Sequence, residues 1–279
     1  MLENTELINS IGHIAILAGQ EIMAVYTNAE GFTVTNKEDH SPLTEADTRA
    51  NALICTQLQK LTPHIPIVSE ETTLTPYAQR RHWQEYWLID PLDGTKEFID
   101  RNGEFTVNIA LIRDGAPVLG VVHAPVTGAS WLGVIGLGAW KRGESGTLEH
   151  IKTRALESEL IQSTIKVVAS RRHGSADLES MLEHLSKRFA AVEMLNVGSS
   201  LKFCMLAEGK ADFYPRLAPT SEWDTAAAQA VLEAAGGRVL KTDFTRLGYN
   251  TKDDILNPHF LAVGDSRIDW RRVLEEEQA

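Results

Sequence analysis

Leu7, Ile8, Ile11, Ile14, Ala15, Ala18 and Ile22 recur at three- and four-residue intervals, so the chain should open with an amphipathic helix whose apolar stripe needs a partner. Phe32-Thr33-Val34-Thr35 alternates as a short strand does, and a second helix is predicted from Glu45 to Leu61. Residues 66–70 and 86–90 are apolar runs short enough to be buried strands. Three more strands, over 105–112, 117–124 and 129–134, are separated by Asp114-Gly115 and Val126-Thr127-Gly128, which predicts an antiparallel meander. The stretch 130–140 is broken by glycines and reads as a hairpin.

Past residue 155 the pattern changes, and strands alternate with helices. Strands are predicted at 166–170, 192–195, 211–214, 238–240 and 259–263. Helices are predicted at 178–189, 200–207 and 225–235, the last stopped by Gly236-Gly237. The order predicts an α/β protein. An α+β half over residues 1–155 precedes an α/β half over 156–279, with a soft boundary inside one structural unit.

Composition narrows the partners. With 43% hydrophobic and 23% charged residues, the chain of 279 residues is ordinary soluble globular material. Its 27 basic and 38 acidic residues leave a net charge of −11, a field that repels nucleic acid polymers. A small anionic substrate must therefore be met by metal ions or by a few placed Lys and Arg residues. Cys55 and Cys204 lie far apart in apolar stretches without a CxxC pair, as expected of core residues in a reducing cytoplasm. Glu3, Glu6 and Glu21 without a basic leader argue against a signal peptide. No run approaches ~18 apolar residues, so no transmembrane segment is expected.

The candidate chemistry begins at Asp90-Pro91-Leu92-Asp93-Gly94-Thr95, directly after Trp87-Leu88-Ile89. Proline fixes φ and donates no hydrogen bond, so the strand should stop near Asp90. Asp90 and Asp93 would then converge across a tight turn with the Leu92 carbonyl turned outward. Magnesium takes such oxygens together with substrate phosphate. Gly94 lets a phosphate approach the backbone, and residues 95–98 could open a helix whose N–H groups face the anion. Asp-Gly between apolar runs is equally a hairpin signal. Read alone, the hexapeptide fits a structural turn as well as a metal loop.

Carboxylates elsewhere break that tie. Ser69-Glu70-Glu71 ends a strand 20 residues earlier, and Glu70 beside Asp90 would let two strand ends bridge metals. Glu71 is the weaker candidate because successive strand residues point to opposite faces. Asp224 starts an alanine-rich helix, where it reads as an N-cap that could also ligate metal. Thr44 and Asp47 have capping-box spacing, and Asp47 could instead orient the Thr95 hydroxyl toward a water. Anion contacts are offered by Ser199 and Lys202 in Gly198-Ser199-Ser200-Leu201-Lys202, by His173 in the loop 170–174, and by Arg216 after a strand end.

Together, Ser41-Pro42-Leu43-Thr44-Glu45-Ala46-Asp47, Ser69-Glu70-Glu71, Trp87 through Phe98 and Trp223-Asp224-Thr225-Ala226-Ala227 resemble the magnesium-dependent, lithium-sensitive phosphatases of the inositol monophosphatase superfamily. The extension Lys96-Glu97-Phe98, residues 102–105 and residues 198–202 resemble its CysQ-type 3′(2′),5′-bisphosphate nucleotidase branch. The resemblance implies a layered αβαβα sandwich and two or three Mg²⁺ ions. It implies one ion on Glu70, Asp90 and the Leu92 carbonyl, and another on Asp90, Asp93 and Asp224. It implies Thr95 with Asp47 as activators of water, with Glu70 among the catalytic residues. The Gly94 and Thr95 amides would take the scissile phosphate. Among the substrate contacts it places Glu70, Leu92, Asp93 and Asp224, and it gives nucleotide contacts to His173, Ser199, Lys202 and Arg216. The implied reaction is removal of the 3′-phosphate of adenosine 3′,5′-bisphosphate, or of its sulfated analogue. Inositol 1-phosphate or a sugar phosphate is the alternative substrate, and a non-catalytic regulator of the same fold the remote one. A monomer or homodimer in the cytoplasm is expected, with loose association at the inner membrane face left open.

Overall fold

The computed structural model describes residues 4–28, 33–36, 42–143, 146–157, 159–169 and 176–275. Its helices are α1 (Asn4–Tyr26), α2 (Glu45–Leu61), α3 (Tyr77–Arg80), α4 (Thr95–Ile99), α5 (Ala176–Arg188), α6 (Leu201–Ala207), α7 (Glu222–Ala234) and α8 (Trp270–Leu274). A short ribbon pairs β1 (Val34–Asn36) with β2 (Pro42–Thr44). The large sheet holds, in spatial order, β3 (Ile67–Ser69), β4 (Glu85–Asp93), β5 (Thr106–Arg113), β6 (Ala116–Ala124), β7 (Ala129–Val134), β8 (Gly138–Arg142) and β9 (Leu148–Ile151). The second sheet comprises β10 (Thr164–Ala169), β11 (Ala191–Asn196), β12 (Phe213–Arg216), β13 (Arg238–Lys241) and β14 (Phe260–Val263), ordered β11-β10-β12-β14-β13. β10, β11 and β12 run parallel, while β14 runs antiparallel to both its neighbours.

Side-chain alternation along the strands creates the layers. On β4, Trp87 and Ile89 join the core under α1 and α2, while Tyr86 and Leu88 face the opposite core. On β5, Val107, Ile109 and Leu111 take the first side, and Ala110 and Ile112 the second. That second core is shared with α6, α7 and the inner face of the second sheet through Phe203, Ala227, Val231 and Tyr214. Phe213, Ile165 and Val167 point outward to α5 and α8, where Phe213 stacks on Trp270. The result is an αβαβα sandwich. Parity continues down the strands, so Asp90 on β4 and Thr106 and Asn108 on β5 are directed to the central layer, which also contains α7.

Several boundaries differ from the sequence expectation. β4 does not stop at Asp90: it continues through Pro91 to Asp93, and the register with β5 shifts between Asp90 and Asp93. A bulge accommodates the missing N–H of proline in an interior strand. Asp224 is not an N-cap, because α7 begins at Glu222. Ser221 caps the helix, and Asp224 is the acidic partner of a capping box. Strands β2 and β9 and helix α8 were not predicted, being too short for periodicity to register. The window Thr5–Tyr26 of α1 reaches a mean hydropathy of 1.2, enough on length and composition to cross a membrane, although no such helix was expected. Its apolar stripe, Leu7 through Val25, is spent on the core under the large sheet.

α7 lies unusually close to the large sheet, and two glycines make this approach possible. A Cβ on Gly120 of β6 would sit 2.2 Å from the Ala227 carbonyl oxygen, and one on Gly133 of β7 would sit 2.5 Å from the Val231 Cα. Backbone atoms cannot yield cheaply, so the helix that carries Asp224 is set at its height by these two missing side chains. Gly120→Ala should destabilise the protein by about 1–3 kcal/mol through overpacking, read as a lower urea midpoint. An unchanged midpoint would show that α7 is free to ride outward.

Candidate active site

Four acids from four chain positions meet where the large sheet faces α7. Asp90 is buried on β4, and the Glu70 N–H, one residue past β3, donates to the Ile89 carbonyl at 3.2 Å, so Glu70 lies alongside it. Asp93 follows the bulge, paired across the sheet with Thr106. Asp224 enters from the first turn of α7. Burial pushes the Asp90 carboxyl well above the ordinary range, and the charges of Glu70, Asp93 and Asp224 push it further. Asp224 is raised by burial, then by Asp93, with Glu70 adding to the effect. Asp93 is raised by burial, while Lys202 and Ser200 pull it back down. Asp93 and Asp224 both keep some surface open to a narrow cavity, and protein surrounds them on every other side.

The oxygens of these acids are individually anchored. Asp90 Oδ1 accepts from the Leu92 N–H at 3.0 Å, Asp93 Oδ2 from the Ser200 N–H at 2.6 Å, and Asp224 Oδ2 from the Ser221 N–H at 2.8 Å. Among the described residues no three His, Cys, Asp or Glu side chains close into a tight ligand group. The acids form an open set of hard oxygens, near enough to raise one another's pKa. That donor chemistry fits a divalent cation that keeps water and substrate oxygens in its shell, as magnesium does. Carboxylates raised by burial, and in Asp90 and Asp224 also by neighbouring carboxylate charges, call for a countercharge that a cation among them would supply.

Beside the acids stands a hydroxyl with its own carboxylate. The Thr95 Oγ1 lies 3.4 Å from Asp47 Oδ1 and 3.4 Å from the Leu92 carbonyl oxygen, long contacts that leave its proton two acceptors. Asp47 is itself fixed, because its Oδ2 accepts from the Thr44 N–H at 2.8 Å and the Thr44 hydroxyl at 2.7 Å. The capping box and the approach to Thr95 thus coexist on one side chain. Gly94 takes φ +96°, where an added Cβ would be strained, and turns β4 into the single turn of α4.

A cavity of about 180 Å³ opens next to Asp93 and Asp224, lined also by Gly94, Ser199, Lys202 and Arg216. Lys202 is 7% exposed and donates to the Ser199 carbonyl at 2.8 Å. Burial lowers its pKa to about 8, against the pull of Asp93 and with a further push from Arg216. Arg216 is held by the Ala218 and Pro219 carbonyls at 3.2 and 3.0 Å. Ser199 has φ +45°, and its hydroxyl is buried among protein atoms with no partner. His173 lies outside the described residues. A larger cavity of about 480 Å³, at the start of β10 near α5 and α8, contains none of these residues.

Several residues of this region had no individual site role in the sequence expectation. Thr106, Asn108 and Ser200 are all buried between the two sheets, and Lys96, Glu97 and Thr220 line the cavity. Thr106 and Asn108 had a signal: two polar residues at alternate positions of an otherwise apolar strand. Ser200 was expected within the anion-binding segment 198–202; its N–H and hydroxyl bond instead to Asp93 and to the Asp224 carbonyl.

The chain belongs to the inositol monophosphatase family, whose model matches residues 3–270. It is 45% identical over 254 residues to the 3′(2′),5′-bisphosphate nucleotidase CysQ of Escherichia coli, covering 91% of this chain and 98% of that one. It is 34% identical to the protein of the same name from Haemophilus influenzae, covering 98% of both. The crystal structure of CysQ from Bacteroides thetaiotaomicron superposes with a TM-score of 0.81 at 38% identity, over 95% of this chain and 99% of that one. An inositol monophosphatase from Anabaena superposes with a TM-score of 0.70 at 26% identity, over 94% and 92%.

The clustered acids make a definite prediction for the metal-free protein. Asp90, Asp93 and Asp224 hold protons more tightly folded than unfolded. The folded state therefore binds more protons above the ordinary Asp range near 4, and these groups lower stability as pH rises from there toward neutrality. In EDTA, Asp90→Asn should lose less Tm than the parent between pH 4.5 and 7.5. Equal losses would mean that Asp90 is not strained by its neighbours.

Proposed function

We propose that this chain is a magnesium-dependent phosphatase that hydrolyses the 3′-phosphate of adenosine 3′,5′-bisphosphate to AMP and phosphate, and that it also accepts the 3′-phospho sulfated analogue. The observation that carries this reading is that Lys202 and Arg216 line one cavity with Asp93 and Asp224 of the acid cluster. Two cations lining one cavity are suited to an anion, and the acid cluster already serves the reacting phosphate. A second phosphate is what a bisphosphate brings and a monoester lacks. The CysQ relatives, named for this substrate class, support the same choice. A nucleotide substrate and two free cysteines suit the cytoplasm.

Glu70, Asp90, the Leu92 carbonyl, Asp93 and Asp224 are the oxygens that would hold Mg²⁺, as two or three ions. Bound there, magnesium neutralises the phosphate, acidifies the attacking water and stabilises the leaving oxygen. The residues of the chain supply position. The Thr95 hydroxyl, donating toward Asp47, presents a lone pair to a hydrogen of the incoming water and so aims its oxygen at phosphorus. Water oxygen bonds to phosphorus as the bond to the ribose 3′ oxygen breaks in line; one water proton stays on the released phosphate and the other passes to the ribose oxygen, which leaves as the 3′-hydroxyl of AMP. Gly94, lacking a side chain, keeps the approach of the phosphate to the backbone open. Lys202, Ser199 and Arg216 hold the second phosphate, and His173 is proposed at the nucleotide.

Phosphate release from adenosine bisphosphate and from inositol 1-phosphate, measured side by side with Mg²⁺, tests the assignment. The bisphosphate should give the higher kcat/KM, and a preference for the inositol ester would move the substrate to the sugar class. Arg216→Ala should raise KM for the bisphosphate about tenfold or more while changing the monoester by less than threefold, since a charge-assisted contact contributes about 1.5–3 kcal/mol. Equal losses on both substrates would remove Arg216 from the second phosphate. Because Lys202 loses its proton near pH 8, kcat/KM for the bisphosphate should fall above that pH, and Lys202→Arg should flatten the decline. A decline of the same midpoint in the arginine variant would assign it to another group.

A further inference from the structure

A chain of buried hydrogen bonds joins Asp93 and Asp224 through Ser200. The Ser200 N–H donates to Asp93 Oδ2 at 2.6 Å, and its hydroxyl donates to the Asp224 backbone carbonyl at 2.9 Å. The same hydroxyl oxygen accepts from Asn108 Nδ2 at 2.9 Å. Asn108 Oδ1 in turn accepts from the Thr106 hydroxyl at 3.2 Å, with Asp93 Oδ2 standing 3.5 Å from that hydroxyl. Ser200, Asn108 and Thr106 are 2%, 1% and 0% exposed, so no water competes for these bonds. Asn108 and Thr106 are the cross-strand partners of Asp90 and Asp93.

We propose that Ser200 and Asn108 are positioning residues, whose side chains fix the spacing of Asp93 and Asp224 and thereby set the affinity of the site for its divalent cation. The inference rests on the metal-dependent reading above. Asp93 belongs to the large sheet and Asp224 to α7, and the two acids repel each other. Something must hold their two elements in register before any cation arrives. Ser200 is placed to do so, since one residue grips the carboxylate of one acid and the backbone of the other. Asn108 gives the Ser200 hydroxyl its direction: with the amide donating to the oxygen, the hydroxyl proton is left to point at the Asp224 carbonyl. Ser200→Ala keeps the bond from its N–H to Asp93 and removes only the hydroxyl link to α7. Ser200→Thr retains that link.

The test is Mn²⁺ binding to the full-length protein, followed by electron paramagnetic resonance, together with the Mg²⁺ dependence of phosphate release. Ser200→Ala and Asn108→Ala should each weaken Mn²⁺ binding about tenfold or more, the range found when a group that orients a metal ligand is removed. They should raise the Mg²⁺ needed for half-maximal rate by a similar factor, a larger change than that in the rate at saturating Mg²⁺. Ser200→Thr should return both values to within threefold of the parent. The double variant should be no worse than the weaker single one, because both act through one hydroxyl. Loss of folding alone would lower Tm without a Thr rescue of Mn²⁺ affinity. Parent-like Mn²⁺ affinity in Ser200→Ala, with the parent binding Mn²⁺ and releasing phosphate, would overturn this inference and leave the phosphatase reading intact. A parent protein that neither binds Mn²⁺ nor releases phosphate would overturn both. If Ser200→Ala does not fold, Asn108→Ala decides the matter on the same two readings.

Discussion

Four carboxylates held close together, two or more with little water around them, are the constraint to which the rest of this structure answers. Like charges in a poorly solvated place repel strongly, and a fold that brings them together must hold them by other means. Here the means are spread over both sheets. β4 delivers Asp90 and, through its bulge at Pro91, Asp93. α7 delivers Asp224, pressed on the large sheet over Gly120 and Gly133. Backbone N–H groups of Leu92, Ser200 and Ser221 each take one carboxylate oxygen. The remaining cost is the one a divalent cation relieves.

The same constraint explains why the cations of the site are where they are. Lys202 and Arg216 line the same cavity as Asp93 and Asp224, and Asp93 stays raised despite the pull of Lys202. Lys202 spends its contacts on the Val197 and Ser199 carbonyls, and Arg216 on those of Ala218 and Pro219. Fixed to backbone oxygens, both side chains keep charge available for an incoming anion. The site therefore has two poles of opposite charge, a cluster of carboxylate oxygens and a pair of cations fixed to backbone carbonyls.

Much of this was legible in the sequence, and the exceptions have physical causes. Helical spacing placed α1 and α2, and the α2 boundaries match because Thr44 and Asp47 form the capping box their spacing suggests. Alternation placed the meander β5 to β7. The strand end expected near Asp90 was misplaced because a bulge lets Pro91 sit where a regular ladder would exclude it. Asp224 was taken for a cap because acidic residues at the first and third helical positions look alike without knowing which residue turns the chain. Ser221 does. That Asp224 would stand beside Asp90, 134 positions away by number, came from the family resemblance and not from local pattern. Thr106 and Asn108 were readable as polar positions on one strand face, but their purpose depends on Ser200, which only the folded chain brings to them.

Glu70, Asp90, Asp93 and Asp224 are proposed to make one site for divalent cations between the large sheet and α7. Crystals grown without metal and soaked in Mn²⁺ would test it most directly through anomalous scattering. Manganese peaks should then appear bounded by oxygens of Asp90 and of Asp224 in the same cluster. Peaks only on exposed surface acids, with the space between β4 and α7 empty, would contradict it.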